Sequence, residues 1–542
     1  MEGHAAGAVA QDTGGPLRRD LALVAVLLLA ATGLLAWHLT HTEVAARDSI
    51  GYIRYAWQLR HHPWLETIRD PRQQQHPGYP LAVLAVSYPV RAVTSLPDTQ
   101  AMQLSAQVAS CLASVLLVVP TYLLGRDLFG RGAGFWAALV FQCLPASGRV
   151  FADGLSEGVF LLWAATALLG AVRAFRGHSP AWFAVTGLFG GLAYLTRPEG
   201  ALVVAATGLA LVVVQCARSR RAPWRRFLAC GAALAATALA VGGPLVAVTG
   251  KLTVKPTAQW ILDHPNEAPP QAPAARGRTQ GGVGGTPLFA VWLGDDHALS
   301  QGVKAVGLEF VKGSLYVLWV PALLGLWWFR DRIRLLPGAW VPLLVSLAIL
   351  GLMWRVASLV GYVSDRHLLL PLLCATCWAV AAVPRAVTAA AAVVGRLPAP
   401  ARLRERLPAA ASPVWAALLL AGFAVAALPK TLEPLHANRS GFRQAGLWIA
   451  GHSRPWDEVL DPYSWSHYYS GKVFLEDESP APPAGQRKMR YVVIEASGHE
   501  HLRLPRVPEA QVNAALGRKV WELTSRRRKE VVDIVVYEVP LS

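Results

Sequence analysis

Asp48 stands directly after the first long apolar run, in Ala46-Arg-Asp-Ser-Ile-Gly-Tyr-Ile-Arg-Tyr55. A carboxylate at the edge of a bilayer can take the proton of a hydroxyl while that oxygen attacks an electrophile. It can equally cap a helix, since residues 49–59 place Ile50, Ile53 and Trp57 on one face, as a helix lying along a membrane surface does. Further polar stretches adjoin apolar runs: Gln75-His-Pro-Gly-Tyr-Pro80, Arg149-Val-Phe-Ala-Asp-Gly-Leu-Ser-Glu157, Thr196-Arg-Pro-Glu-Gly200 and Tyr362-Val-Ser-Asp-Arg-His367, with Arg355 upstream of the last. Charges at membrane depth are costly and tend to serve function. Guanidinium groups fork onto carboxylates and phosphates alike. Arg149, Arg197, Arg355 and Arg366 therefore suit an anionic ligand whose tail stays in lipid. Each stretch taken alone is also an ordinary loop-to-helix transition.

The elements that must hold these residues are membrane helices. Of 542 residues, 54% are hydrophobic and only 16% charged, against roughly 25% charged in a soluble domain. That excludes disorder, and the absence of a three-residue glycine period excludes collagen. A spanning helix needs about 20 mostly apolar residues. Eleven segments qualify: 21–38, 104–124, 132–144, 159–172, 182–195, 201–214, 227–248, 315–329, 340–353, 368–383 and 414–428. The first reads as a retained anchor, not a cleaved signal. Residues 79–93 are shorter and read as partly re-entrant.

The net charge of +17 does not point to nucleic acid, because the basic residues sit in short runs between apolar segments. With a cytoplasmic N-terminus, the inner loops hold Arg126 and Arg131; Arg173 and Arg176; Arg218 to Arg226; Arg330 to Arg334; and Arg385 to Arg406. Every inner loop is basic, as the positive-inside rule requires. An odd number of spans puts the C-terminus outside. Three outer regions result: 40–103, the Pro- and Gly-rich 251–313, and a tail over 430–542. The membrane unit is thus 1–429. In the tail, 491–495 and 531–538 read as strands and 444–450 as an amphipathic helix, giving a small α/β domain outside the membrane.

An Asp directly after the first membrane helix, Ser49-x-x-Tyr52 on a surface helix, and His76-Pro-Gly-Tyr79 together resemble the membrane GT-C glycosyltransferases. The resemblance is to the bacterial branch with the lipid A aminoarabinose transferases and protein O-mannosyltransferases, over about residues 20–430. Arg197-Pro-Glu-Gly200 and Asp365-Arg-His-Leu-Leu-Leu-Pro371 are similar to motifs of uncharacterised bacterial members. The resemblance implies an inverting transfer of sugar from a polyprenyl-phosphate donor to a lipid-, glycan- or protein-linked hydroxyl, at the outer face of a bacterial inner membrane. It implies Asp48 as base and a second acidic residue at Asp153 or Glu157. Arg197, Arg355, Arg366, Arg149 and His76 then face the donor phosphate, and Tyr52, Tyr79, Glu199 and Asp365 line the substrate. No cofactor is required by the resemblance, which leaves room for a divalent metal. The chain departs from the pattern where Ser49 follows Asp48 and where His76 replaces a lysine used by some members.

Other stretches read more plainly. The six cysteines lie in apolar segments and form no disulfide framework; Cys374-Ala-Thr-Cys377 is a pair of buried thiols. Gly294-Asp-Asp-His297 reads as hydrated loop charge before a metal site. Residues 461–469 are aromatic enough to cover a sugar, or to form a packed domain edge; 525–529 read as a hairpin tip. The competing function is a transporter or flippase of a lipid-linked or anionic substrate. Transporters pair two halves with broken helices near the midplane, and no such pairing is visible. A plain anchor for the tail would leave the outer polar clusters unexplained.

Overall fold

The computed structural model describes residues 17–217, 222–263, 297–360, 363–394, 412–476, 480–496, 504, 506–527 and 530–541. The helices used below are α1 (Leu17–His41), α2 (Arg47–His61), α3 (Gly78–Val93), α4 (Asp98–Phe129), α5 (Arg131–Cys143), α6 (Glu157–Gly177), α7 (Pro180–Thr196), α8 (Ala201–Cys216), α9 (Trp224–Thr249), α10 (His297–Gly313), α11 (Trp319–Trp328), α12 (Trp340–Val360), α13 (Leu369–Val394) and α14 (Ser412–Thr431). Each expected span overlaps one of them, although 315–329 is helical only over the ten residues of α11. Eight described helices are long and apolar enough to cross a membrane, nine if the pair Arg131–Cys143 and Pro145–Ala152, bent by 61°, counts as one. Helices α7 and α11 have 17 and 10 residues, so the expected count of eleven rests on two short helices. The chain is a multi-pass membrane protein.

Residues 79–93, expected to be partly re-entrant, form the regular helix α3, which lies against the outer part of α4. Gly78 explains how close its start can come to α7. A Cβ there would stand 2.7 Å from the backbone of Leu195. Gly200 plays the same part in the next turn, where a Cβ would lie 2.2 Å from the Tyr194 nitrogen. The glycines of His76-Pro-Gly-Tyr79 and Arg197-Pro-Glu-Gly200 thus let two polar turns meet at one end of the bundle.

The opposite end gathers the described arginines expected to face inward. Asp20 binds Arg126 and Arg131, while Asp127 binds Arg126, Arg173 and Arg176. Between the two ends lies an apolar core that includes Leu117, Leu161, Leu168, Val345 and Leu372.

The tail folds into α15 (Ser440–His452), α16 (Trp465–Tyr469) and a sheet of β1 (Glu458–Leu460), β2 (Met489–Glu495), β3 (Arg518–Arg527) and β4 (Glu530–Pro540). The spatial order is β1-β2-β4-β3, with β1 and β2 parallel and the other pairs antiparallel. The basic run 525–529 sits at the end of the β3–β4 hairpin, with residues 528 and 529 outside the described set. The tail does not hang free. Phe442, Tyr468, Val493 and Ile534 share one core with Ile53, Tyr79 and Met102 of the first outer region. The boundary expected at 430 therefore divides the chain by position, while the core runs across it.

Candidate active site

Asp48 lies in the first turn of α2, where its charge complements the helix N-terminus. It is not the cap: Ala46 holds that position and no side chain caps this end. Its carboxylate instead accepts a hydrogen bond from Arg366 Nη2 at 2.5 Å. Half of the Asp48 side chain (51%) remains open, against 26% of Arg366. Burial raises the Asp48 pKa, but the Arg366 guanidinium outweighs it and holds the carboxyl below its usual range. Asp48 is thus ionised, accessible and tied by one edge.

Behind this pair Arg197 is wedged between two buried carboxylates, Glu157 at 2.7 Å and Glu199 at 3.2 Å. Glu157 is also among the main charges acting on Arg366, so the two ion pairs form one cluster. Two carboxylates already satisfy Arg197, which makes it a buttress more than a free anion site. Oε2 of Glu157 and Oε2 of Glu199 have no hydrogen-bond partner among the described residues. A buried oxygen without a donor costs about 1–3 kcal/mol.

Lys255, which sequence reasoning passed over, completes the cluster. Arg197, Glu199, Glu157 and Arg366 are the charges acting on it, yet among the described residues its ammonium has no ion pair. Burial, and then Arg197, lower its pKa below the ordinary lysine value. It lies two residues past Thr253, whose hydroxyl sits 3.2 Å from His76 Nε2. No sequence signal near Lys255 marks it, because it lies in the Pro- and Gly-rich loop 251–313.

Several expected site residues are used elsewhere. His76 is 1% exposed, with Nδ1 2.9 Å from the Tyr194 carbonyl and Nε2 on Thr253. Burial, together with Lys255, lowers its pKa to about 4, so it is neutral and carries no charge to a phosphate. Tyr79 is fully buried and donates to the Ala106 carbonyl at 2.7 Å; Tyr52, edge-on to it, is bonded to Ser156 at 3.0 Å. Both are buried and pack helices together, Tyr52 within reach of the charges of Glu157, Arg197 and Asp48. Asp365 accepts from Arg366 N and Ser364 Oγ, in the first turn of a short helix that Ser364 caps. Arg149 meets Glu433 at 3.7 Å, away from the cluster. Arg355 lies on α12.

Asp153 and Glu157 have different partners. Gly154, with φ +67, turns the chain so that Glu157 faces Arg197 while Asp153 faces His436. Asp153 is 8% exposed, and both its oxygens lie 2.9 Å from His436 Nε2. Burial raises its pKa against the pull of His436. Residues 461–469 form a packed edge. Trp465 Nε1 donates to the Ala45 carbonyl at 2.9 Å, and Ala45 N–H donates to Tyr469 Oη at 3.4 Å. The tail thereby grips the backbone three residues before Asp48.

Among the described residues no group of three or more His, Cys, Asp or Glu side chains could hold a metal ion. Gly294 to Asp296 lie outside the described residues.

Residues 76–241 match the family model of dolichyl-phosphate-mannose-protein mannosyltransferases. No curated protein matches the chain in sequence. Among solved structures, ArnT from Cupriavidus metallidurans bound to undecaprenyl phosphate superposes with a TM-score of 0.53 at 16% identity, covering 96% of this chain and 98% of that one. The Archaeoglobus fulgidus oligosaccharyltransferase in its apo form gives 0.52 at 13% identity, covering 84% of this chain and 64% of that one. The same enzyme tethered to an acceptor peptide gives 0.53 at 13% identity. With its polar cluster at one end of a helical bundle and its packed α/β tail, the chain has the fold of the GT-C membrane glycosyltransferases.

Proposed function

We propose that the chain is an inverting glycosyltransferase that moves a sugar from a polyprenyl-phosphate carrier to an acceptor hydroxyl. The observation that carries this reading is the open, ionised Asp48 bound edge-on to Arg366, with the unpaired Lys255 in the same cluster. The acceptor oxygen attacks the anomeric carbon as Asp48 takes its proton. The bond from that carbon to the phosphate oxygen breaks, and the leaving polyprenyl phosphate keeps the electron pair. Arg366 has donors beyond the one spent on Asp48 and, with Lys255, meets the charge that grows on the phosphate. Glu157 and Glu199 hold Arg197 behind them, and their orphan oxygens suit sugar hydroxyls as donors.

In this reading the Asp48 end faces outward from a bacterial inner membrane and the arginine-rich end faces the cytoplasm. The donor's hydrocarbon tail stays in the bilayer while its phosphate reaches the cluster. The acceptor hydroxyl belongs to a lipid, glycan or protein. The test is incubation of the purified protein with a panel of radiolabelled polyprenyl-phosphate sugars. Product with inverted anomeric configuration supports the reading. Movement of the intact carrier across a vesicle membrane, with no sugar transferred, would establish a flippase instead.

A further inference from the structure

Helix α10 is pinned to the bundle at both ends. Near its start, a Cβ on Gly302 would collide with Ser358 Oγ and lie 3.0 Å from the Trp354 carbonyl oxygen, both on α12. At its end, a Cβ on Gly313 would stand 2.7 Å from Leu372 Cδ1 and 3.5 Å from Asp365 Cβ. Beyond it Leu315 and Tyr316, with φ 52 and 62, turn the chain sharply towards α11. Residues with side chains rarely adopt that region, and they stay there only where the surroundings over-determine the backbone. Helix α10 is therefore a strut whose last turns lie against residues 365–372.

Those residues carry Arg366. The 3-10 turn Asp365–Leu368 runs directly into α13, and the first N–H groups of such a run have no helical carbonyl to meet. Most are met inside the turn itself. Ser364 N–H donates to His367 Nδ1 at 3.2 Å, His367 N–H to the Ser364 carbonyl at 3.0 Å, and Arg366 N–H to Asp365 Oδ1 at 2.9 Å. The N–H of Asp365 leaves the turn and donates to Glu309 Oε2, on α10, at 3.0 Å. Only 17% of the Glu309 side chain is exposed, and Lys312 stands 3.4 Å from both its oxygens. A carboxylate acceptor makes this bond roughly twice as strong as a neutral one would. One residue further along the turn comes Arg366, whose Nη2 reaches Asp48.

We propose that Glu309 is a positioning residue for Arg366: by holding the Asp365 N–H it fixes the turn from which the guanidinium reaches Asp48 and the donor phosphate. This role rests on the glycosyltransferase reading. Glu309 acts through the turn, and a shift of a catalytic group by about 1 Å is enough to cost a large factor in rate. The pair with Lys312 does not account for the carboxylate, since that lysine is 48% exposed and so open an ion pair adds little.

The test uses the full chain in nanodiscs, with sugar transfer, melting temperature and backbone hydrogen exchange over residues 364–368 read for each variant. Glu309→Ala should speed exchange at Asp365 and lower kcat, each by about tenfold or more, with little change in melting temperature. The donor KM should rise and the acid limb of the pH–rate profile should move to higher pH, as in Arg366→Ala, because a displaced Arg366 pulls less on Asp48. Glu309→Gln, which keeps an acceptor oxygen and loses the charge, should restore most of the rate and the protection. Glu309→Asp, which keeps the charge and withdraws the oxygen by one methylene, should not. Should alanine fold poorly, this order decides, since a role for the charge itself would reverse it. Adding Glu309→Ala to Arg366→Ala should cost nothing further, because both act through one group. Lys312→Gln should transfer sugar as the unaltered protein does. Unchanged exchange at Asp365 in Glu309→Ala would overturn the proposal, as would full transfer by that variant or additive losses in the double variant. No transfer by the unaltered protein would instead refute the glycosyltransferase reading, and exchange would still decide whether Glu309 holds the turn.

Discussion

Arg366 Nη2 meets Asp48 Oδ2 at 2.5 Å, joining two residues 318 positions apart at one end of the helical bundle. The pair fixes one edge of the carboxylate and leaves half of the side chain open. It also sets the direction in which each partner's loss should register.

Asp48→Asn keeps size and removes the proton acceptor. Sugar transfer should fall by roughly 10²–10⁴-fold, the range expected for a lost general base. Folding should survive, because an ion pair this open contributes at most about 1 kcal/mol. Transfer at the unaltered rate, with folded protein confirmed by its melting temperature, would move the base elsewhere.

Arg366→Ala should raise the donor KM and lower kcat, since the phosphate is held throughout and gains charge in the transition state. Lysine should restore only part, as a point charge replaces a fork. Without Arg366, only the weaker pull of Arg47 and His367 opposes burial at Asp48, so the acid limb of the pH–rate profile should move to higher pH. An unmoved limb would separate Asp48 from the titration that controls rate.

Lys255→Ala should weaken donor binding most, appearing as a higher KM for the polyprenyl-phosphate sugar with a smaller fall in kcat. Arg197→Ala should behave differently. It leaves Glu157 and Glu199 buried without their cation, which costs about 3–5 kcal/mol, so its main readout is a lower melting temperature. Equal melting temperatures for the two variants would reverse the roles given to these residues.

His76 should make the fold sensitive to acid. Its pKa is near 4 in the folded chain against 6.5 when unfolded, so between these values the unfolded chain binds more protons. Stability from this group is complete above pH 6.5 and is lost as pH falls toward 4, by roughly 3 kcal/mol in all. His76→Asn, which cannot titrate, should show a smaller drop in melting temperature between pH 7.5 and pH 5 than the unaltered protein. Parallel drops would assign the acid sensitivity to other groups.

The membrane helices were legible because apolar runs need no partner to be recognised, and α2 because Ile50, Ile53 and Trp57 recur on one face. Strands β2 and β4 were legible from Val and Ile, whereas β3 carries Arg, Lys and Glu and is held in place only by its neighbour β4. β1 is three residues long and exists because β2 pairs with it. Within the site, residue types pointed to Asp48, Arg197, Glu157, Glu199 and Arg366, all charged and all beside apolar runs. Burial and pairing lie beyond local sequence. Nothing near His76 shows that Thr253 and the Tyr194 carbonyl consume both ring nitrogens, and nothing near Lys255 shows which charges it will meet.

The grip of Trp465 and Tyr469 on Ala45 has a consequence for synthesis of the chain. Both peptide groups of Ala45 are completed by residues more than 400 positions downstream, so the approach to Asp48 stays unfinished while the polypeptide is still being made. On the proposed glycosyltransferase reading, a chain with every membrane helix in place but no docked tail would transfer no sugar, because the backbone leading to Asp48 would lack these two bonds.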